Sequence, residues 1–339
     1  MRRSDLLLVP IFFLLAVLFL FPVTLGGQTL IPADNLFAFP PWQTFAAQFH
    51  ATVPHNELLS DLLLENYAWK RLIVESIQRH EAPLWNPYLF TGVPFLAAGQ
   101  HSALYPFSIL FYVFPLEFAF GWFAALQLGI AGAAMYAFTR TLGLSRVAAT
   151  LSALTYEFSG FFVVSLVFPM VLSAACWLPL LLLCEEKLLQ GKSREIKGNQ
   201  GGRARVAWVI VGAVVLGMSN LAGHVEITYY NLIVMAFYMV WRLSTGTTDR
   251  ALVRRATADK RSRTASLAAS LRRVLALGAL LVLGLGLAAV QLVPLYELAA
   301  RSFRQGAQDY NTIVGYAYPA RQIITFFVPD FFGNPAHHA

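Results

Sequence analysis

LLLVPIFFLLAVLFLFPVTL, residues 6–25, decides the fold class. It carries no charged side chain, and about 20 apolar residues in a helix cross the hydrocarbon core of a bilayer. A cleaved signal peptide would have a shorter apolar stretch closed by a small-residue cleavage site. No A-x-A site follows, so residues 1–26 read as an uncleaved first transmembrane helix with its short basic leader, Met1–Asp5.

Further apolar runs follow at about 118–139, 147–167, 170–186, 206–222, 225–241 and 274–296. The expected fold is therefore an all-α polytopic membrane protein with about seven transmembrane helices. Of the 339 residues 57% are hydrophobic and 13% charged. Soluble domains carry nearer a quarter charged, which makes lipid the main solvent here. The two cysteines, Cys176 and Cys184, fall in one apolar run. They read as small hydrophobes rather than a disulfide framework.

The net charge of +7 invites a nucleic-acid reading, but the distribution of the basic residues argues for another. Arg2 and Arg3 precede the first run, and Arg140 and Arg146 separate the next two. Six basic residues lie in 187–205 and nine in 242–273, so that 19 of the 25 share one side if each run crosses once. That asymmetry is the positive-inside bias. It predicts a cytoplasmic N-terminus, cytoplasmic basic loops at 187–205 and 242–273, and a multi-pass protein of the cytoplasmic membrane. The basic loops are nearly free of aromatic residues. They suit anionic membrane lipids and point to no nucleic-acid partner.

The segment 103–115 is apolar but short and bounded by prolines. Were it to cross, the most basic loops would change sides. It is expected to be a re-entrant or interfacial helix within a long first external loop, 27–117. The helical bundle then spans 118–297, and 298–339 forms a further external segment.

The first loop holds the chemistry-bearing residues. Asp34 follows the first helix closely and is pinned near the membrane surface. In 57–80 the apolar residues Leu58, Leu62, Trp69, Leu72, Ile73 and Ile77 recur at helical spacing, with Asn56 as a candidate N-cap. Such a helix lies along the interface. Asp61 and Glu65, four apart, share one face of it. Two carboxylates at a membrane surface suit general-base chemistry on an attacking hydroxyl. They can instead share a hard divalent cation, Mg or Mn; no other cofactor is called for. The plain alternatives are a turn or cap role for Asp34 and a solvated helix face for Glu65.

PLWNPYLFTGVPF, 83–95, is turn chemistry: its prolines fix φ and its glycine permits positive φ. Trp85 can stack on a sugar ring or sit at headgroup level. Asn86, Gln100 and His101 are polar groups beside it, able to bind substrate or to hold the loop. Glu157, Glu226 and Glu297 fall in or at the ends of spans, where a carboxylate is a functional candidate by default. Glu226 and its neighbour His224 are expected on the face of the first loop. Arg301, Arg304 and Arg321 follow the last span and can bind phosphate bidentately or be simply solvated. No metal site of cysteine and histidine, P-loop, strand-borne GxGxxG or GxSxG occurs in the sequence.

PLWNPYLFTGVPFLAAGQHSALYPF (83–107), EFSGFF (157–162), AACWLPLLLLCEEKLL (174–189), NLAGHVEITYY (220–230), AAVQLVPLYELAARS (288–302) and VPDFFGNP (328–335) follow one another in order. Together they resemble the YfhO-type bacterial membrane protein family. The resemblance implies a GT-C glycosyltransferase-like architecture, a polyprenyl-phosphate-linked sugar donor and an envelope glycan or lipid acceptor. It also implies an essential acid soon after the first helix, which maps onto Asp34, with Asp61 as the second loop acid. Members of the family are usually longer, so the chain reads as an N-terminal portion. A transporter or flippase of lipid-linked sugars and a non-catalytic envelope-assembly protein are the alternative functions.

Overall fold

The structure, a computed structural model, describes residues 3–51, 56, 59–190, 200–245, 260–302, 310–315 and 317–333. Its regular structure is almost wholly helical. The described strands, β1 (Trp85–Asn86) and β2 (Val93–Pro94), form one antiparallel hairpin.

The apolar run at 6–25 gives α1 (Val9–Phe19) and then a separate turn, Phe21–Thr24. The break has a local cause. Pro22 has no N–H to donate, which interrupts the ladder, and Thr24 Oγ1 closes the turn by donating to Leu20 O at 2.9 Å. In the first loop come α2 (Ala68–Gln78) and α3 (Ile109–Val113). With five residues α3 is far too short to cross a bilayer.

Next is α4 (Leu116–Thr141), 26 residues and so about 39 Å long, with Glu117 in its first turn and Arg140 in its last. Both charges complement the helix dipole. The bundle is built around α4. Its Gly129 faces the ring of Phe13 in α1, and its Gly132 faces Glu157 in α5 (Arg146–Glu157). A Cβ at either position would lie 2.4 Å or less from these neighbours, so glycine is what lets the helices approach. After α5 come α6 (Pro169–Ala175), α7 (Leu178–Leu189), α8 (Gln200–Leu221), α9 (Val225–Ser244), α10 (Lys260–Leu287) and α11 (Ala289–Ala300).

By length and composition five described stretches can each cross a membrane: 116–141, 146–167, 169–189, 202–221 and 270–287. Val9–Phe19 and Ala289–Ala300 are shorter apolar helices. The run at 274–296 is interrupted at Ala288, which separates α10 from α11. α9 has the length, 20 residues, but Glu226, Asn231 and Arg242 make it less apolar. The chain is a multi-pass membrane protein. Many apolar side chains point outward, Phe237 and Val282 more than 70% exposed, as lipid contact requires.

One continuous core runs from Ala16 and Leu20 through Phe111, Phe120 and Phe123 to Trp177, Leu216 and Leu280. At the bundle end away from the first loop, buried acids bind arginines. Asp5 accepts from Arg146 Nε at 3.0 Å and Arg140 Nη2 at 3.4 Å. Glu186 accepts from Arg242 Nε at 2.8 Å and from Tyr238 at 2.7 Å. Of the basic loops, 191–199 and 246–259 lie outside the described residues.

Candidate functional site

Asp34 lies in a 3-10 helix, Ala33–Ala38, and is half-buried. Its neighbour Asn35 is 2% exposed and is the tie that fixes this turn. Asn35 Nδ2 donates to Asn56 O at 3.0 Å and to Ser60 Oγ at 3.1 Å. Ser60 immediately precedes Asp61. The two loop acids therefore each sit one residue from the same buried hydrogen bond.

Asp61 is exposed and stands just before a π-helical segment, Leu62–Tyr67, that runs into α2, with no capping bond from its side chain. Wider π turns recur at functional sites. Glu65 lies on the side of Asp61: partial burial, then the Asp61 charge, push its carboxyl above the ordinary value. The segment Leu62–Tyr67 replaces the uniform α-helix expected there. Asn66, buried, donates to Asp61 O at 3.3 Å. Residues 57 and 58 lie outside the described residues.

On the buried stripe continued by Leu62, Asn66 and Ile73 stands Lys70, only 1% exposed. Its Nζ donates to His101 O at 2.6 Å and lies 4.6 Å from the centre of the Phe111 ring. Burial lowers the amine to about 7, even with a carbonyl and a ring face beside it. His101 is itself enclosed. Its Nδ1 accepts from Ala103 N at 3.0 Å, so Nε2 carries the proton and faces Leu96 O at 3.3 Å. Burial, then the Lys70 charge, lower the imidazole to about 4. Gln100 beside it is exposed.

The segment 96–105 is docked on the bundle. Ser102 Oγ donates to Ala222 O at 2.6 Å, and Gln291 Nε2 donates to Leu96 O at 2.7 Å. Gly223, at φ +97°, has Gly99 O and Ser102 Oγ where a Cβ would go. These contacts carry the loop to the start of α9, where His224 caps the helix by accepting from Ile227 N. Burial lowers the His224 imidazole, and the exposed Glu226 opposes this.

The hairpin pairs Trp85 with Pro94 and Asn86 with Val93. Gly92, at φ +117°, lies under the Trp85 indole, with no room for a Cβ. Asn86 is 5% exposed, and its Oδ1 accepts from Tyr88 N at 3.0 Å. The arginines are not gathered here. Arg301 pairs with Glu297 at 2.9 Å on an exposed face, and Arg321 lies over the Phe332 ring. Arg304 lies outside the described residues. Among the described residues no three His, Cys, Asp or Glu side chains are grouped to hold a metal ion.

Asn35 and Lys70 were not among the residues singled out from sequence. The apolar stripe of 57–80 passes through position 70, and that register is the signal for the lysine's burial. For Asn35 no comparable signal exists.

The arrangement couples the segments bearing two carboxylates through Asn35 and Ser60, in a loop tied to the bundle through Ala222 and Gln291. No curated protein and no solved structure matches the chain. Residues 100–196, from the docked loop segment through α7, match the family model described as bacterial membrane protein YfhO, the family its motifs resemble.

Proposed function

We propose that the protein is a membrane glycosyltransferase of the GT-C type, using a polyprenyl-phosphate sugar donor on the external face of the bacterial inner membrane. Asp34 takes the proton from an acceptor hydroxyl of an envelope glycan or lipid. The freed oxygen attacks the anomeric carbon, its bond to the phosphate breaks, and polyprenyl phosphate leaves with inversion at that carbon. Asp61 assists by hydrogen bonding or by sharing a divalent cation, Mg or Mn. Glu65, Trp85, Asn86, Gln100, His224 and Glu226 are the proposed substrate contacts, the enclosed His101 holds the loop that presents them, and Arg301, Arg304 and Arg321 are assigned toward the leaving phosphate. Membrane lipids are its surroundings, and the N-terminus is cytoplasmic.

The observation that carries this reading is the Asn35–Ser60 hydrogen bond, which couples the segments bearing Asp34 and Asp61 at 3.1 Å. General-base work needs a carboxylate held within reach of its proton, about 3 Å, and a fixed turn supplies that constraint. Asp34→Asn is expected to abolish sugar transfer in isolated membranes with expression unchanged. Full transfer by that variant would remove Asp34 from the role.

A second reading, transport of a lipid-linked sugar, is favoured by Glu157. This carboxyl is fully buried in the bundle, and neither oxygen has a hydrogen-bond partner among the described residues. An ionisable group so placed is a functional candidate.

A further inference from the structure

Between the face of α2 away from Lys70 and the hairpin loop lies a cavity of about 400 Å³. None of the residues assigned above to proton transfer lines it. Its walls include Tyr67, Trp69, Arg71, Glu75, Asn86 and Tyr88. The volume falls within the range of about 300–1,000 Å³ for small-ligand sites.

Three features define what can occupy it. Aromatic rings supply broad faces: Tyr88 is 70% exposed, while Trp69 and Tyr67 are half-buried in the wall. Arg71 Nε and Glu75 Oε1 are paired at 2.9 Å, so the charged pair in the wall is already neutral. Asn86 is 5% exposed and spends Oδ1 on the Tyr88 N–H, while its Nδ2 has no partner among the described residues. The cavity therefore offers an amide donor held rigid by its own turn.

An anionic ligand would have to displace Glu75 from Arg71 and then face that carboxylate. A purely apolar ligand would strip water from Asn86, Arg71 and Glu75 and return nothing, which is the costly way to bury polar groups. An uncharged polyol with an apolar face meets all three features. Its hydroxyls can accept from Asn86 Nδ2 and donate to Glu75, and its C–H face can lie on an aromatic ring.

We propose that this cavity is a saccharide-binding site for one uncharged sugar ring, separate from Asp34 and Asp61. It shares Asn86 with the proposed substrate contacts of transfer but is argued from the cavity, which neither Asp34 nor Asp61 lines. Loss of transfer in Asp34→Asn leaves it standing, and failed sugar binding leaves the transfer chemistry standing.

The test is saturation-transfer NMR on the full chain in detergent, with the methyl glycosides of glucose, galactose and N-acetylglucosamine as probes. sn-Glycerol 3-phosphate serves as the anionic probe. At least one glycoside is expected to receive saturation, strongest on one ring face. Tyr88→Ala removes an exposed ring from the wall and keeps the backbone N–H that Asn86 Oδ1 accepts from. It is expected to weaken that binding about tenfold, equivalent to about 1.4 kcal/mol. Glu75→Gln, which keeps the shape, is expected to weaken it as well. No saturation of any glycoside would overturn the proposal. So would binding unchanged in both variants, and so would binding of glycerol phosphate alone, which would mark an anionic headgroup site.

Discussion

Asn35 Nδ2 donates to Ser60 Oγ at 3.1 Å, across 25 residues of chain and inside the first loop. The same amide donates to Asn56 O. Asn35→Ala removes both bonds; the Asn56 carbonyl keeps the Leu59 N–H at 3.3 Å, but the buried Ser60 Oγ loses its donor. An unsatisfied buried partner costs about 1–3 kcal/mol, so thermal unfolding in detergent should shift down by that much. Ser60→Ala removes one of the two bonds and should lose less. If the transfer chemistry depends on the tie, activity in membranes falls in the same order. Wild-type stability and activity in Asn35→Ala would show that the two acids are not coupled through this amide.

Gly223 is required twice over, by φ +97° and by Gly99 O, which would lie 2.6 Å from an added Cβ. Backbone cannot move aside as a side-chain tip can. Gly223→Ala should lose at least about 1–3 kcal/mol from backbone strain. It should also break the Ser102–Ala222 bond and expose 96–105 to protease. Wild-type protection of that segment would mean that the loop is held elsewhere.

Much of this was legible from sequence, for reasons that can be named. The apolar runs at 118–139, 147–167 and 170–186 became α4, α5 and its extension, and α6–α7, because burial and lipid contact both follow hydropathy. The shortness of 103–115, between prolines, is matched by the five-residue α3. Hydropathy cannot see breaks inside an apolar run. Those at Leu20 and Ala288 come from Pro22 and from the turn between α10 and α11. Nor does a local pattern report a buried polar group whose partner is distant. Asp5 binds Arg146 across 141 residues, and Lys70 binds His101 O across 31. Within the candidate site the acids were visible as residue types, but the amide that couples their segments was not.

Lys70 should make stability depend on pH. Its folded value, about 7, is below its ordinary 10.5, so between the two the unfolded chain holds the extra proton. Stability therefore rises with pH across that window, by up to about 1.4 kcal/mol per pH unit, and levels off below about 7. Lys70→Met should remove the rise. The melting-temperature advantage of Lys70→Met over wild type should be largest near pH 7 and shrink toward pH 9.5. Parallel curves would mean that Lys70 keeps an ordinary amine.

Topology can be read with introduced cysteines because both native ones, Cys176 and Cys184, are fully buried. Arg79→Cys, on the exposed end of α2, should react with a membrane-impermeant maleimide on intact cells. Ser244→Cys, exposed at the end of α9, should react only after permeabilisation. The reverse pattern would invert the orientation argued from the basic loops.

Glu157 separates the two functional readings. It is wedged against Gly132 with neither carboxyl oxygen hydrogen-bonded among the described residues. If it is only a tolerated polar group in the packing, Glu157→Met fills the same space without an unpartnered polar atom. Unfolding stability should then rise by about 1–3 kcal/mol, with sugar transfer in membranes retained. Glu157→Gln should gain less, because its amide would be equally unpartnered. If Glu157 carries protons or binds cargo during transport, both substitutions abolish function whatever they do to stability. Loss of activity in a stabilised Glu157→Met, together with full activity in Asp34→Asn, would move the working centre from the loop acids into the bundle.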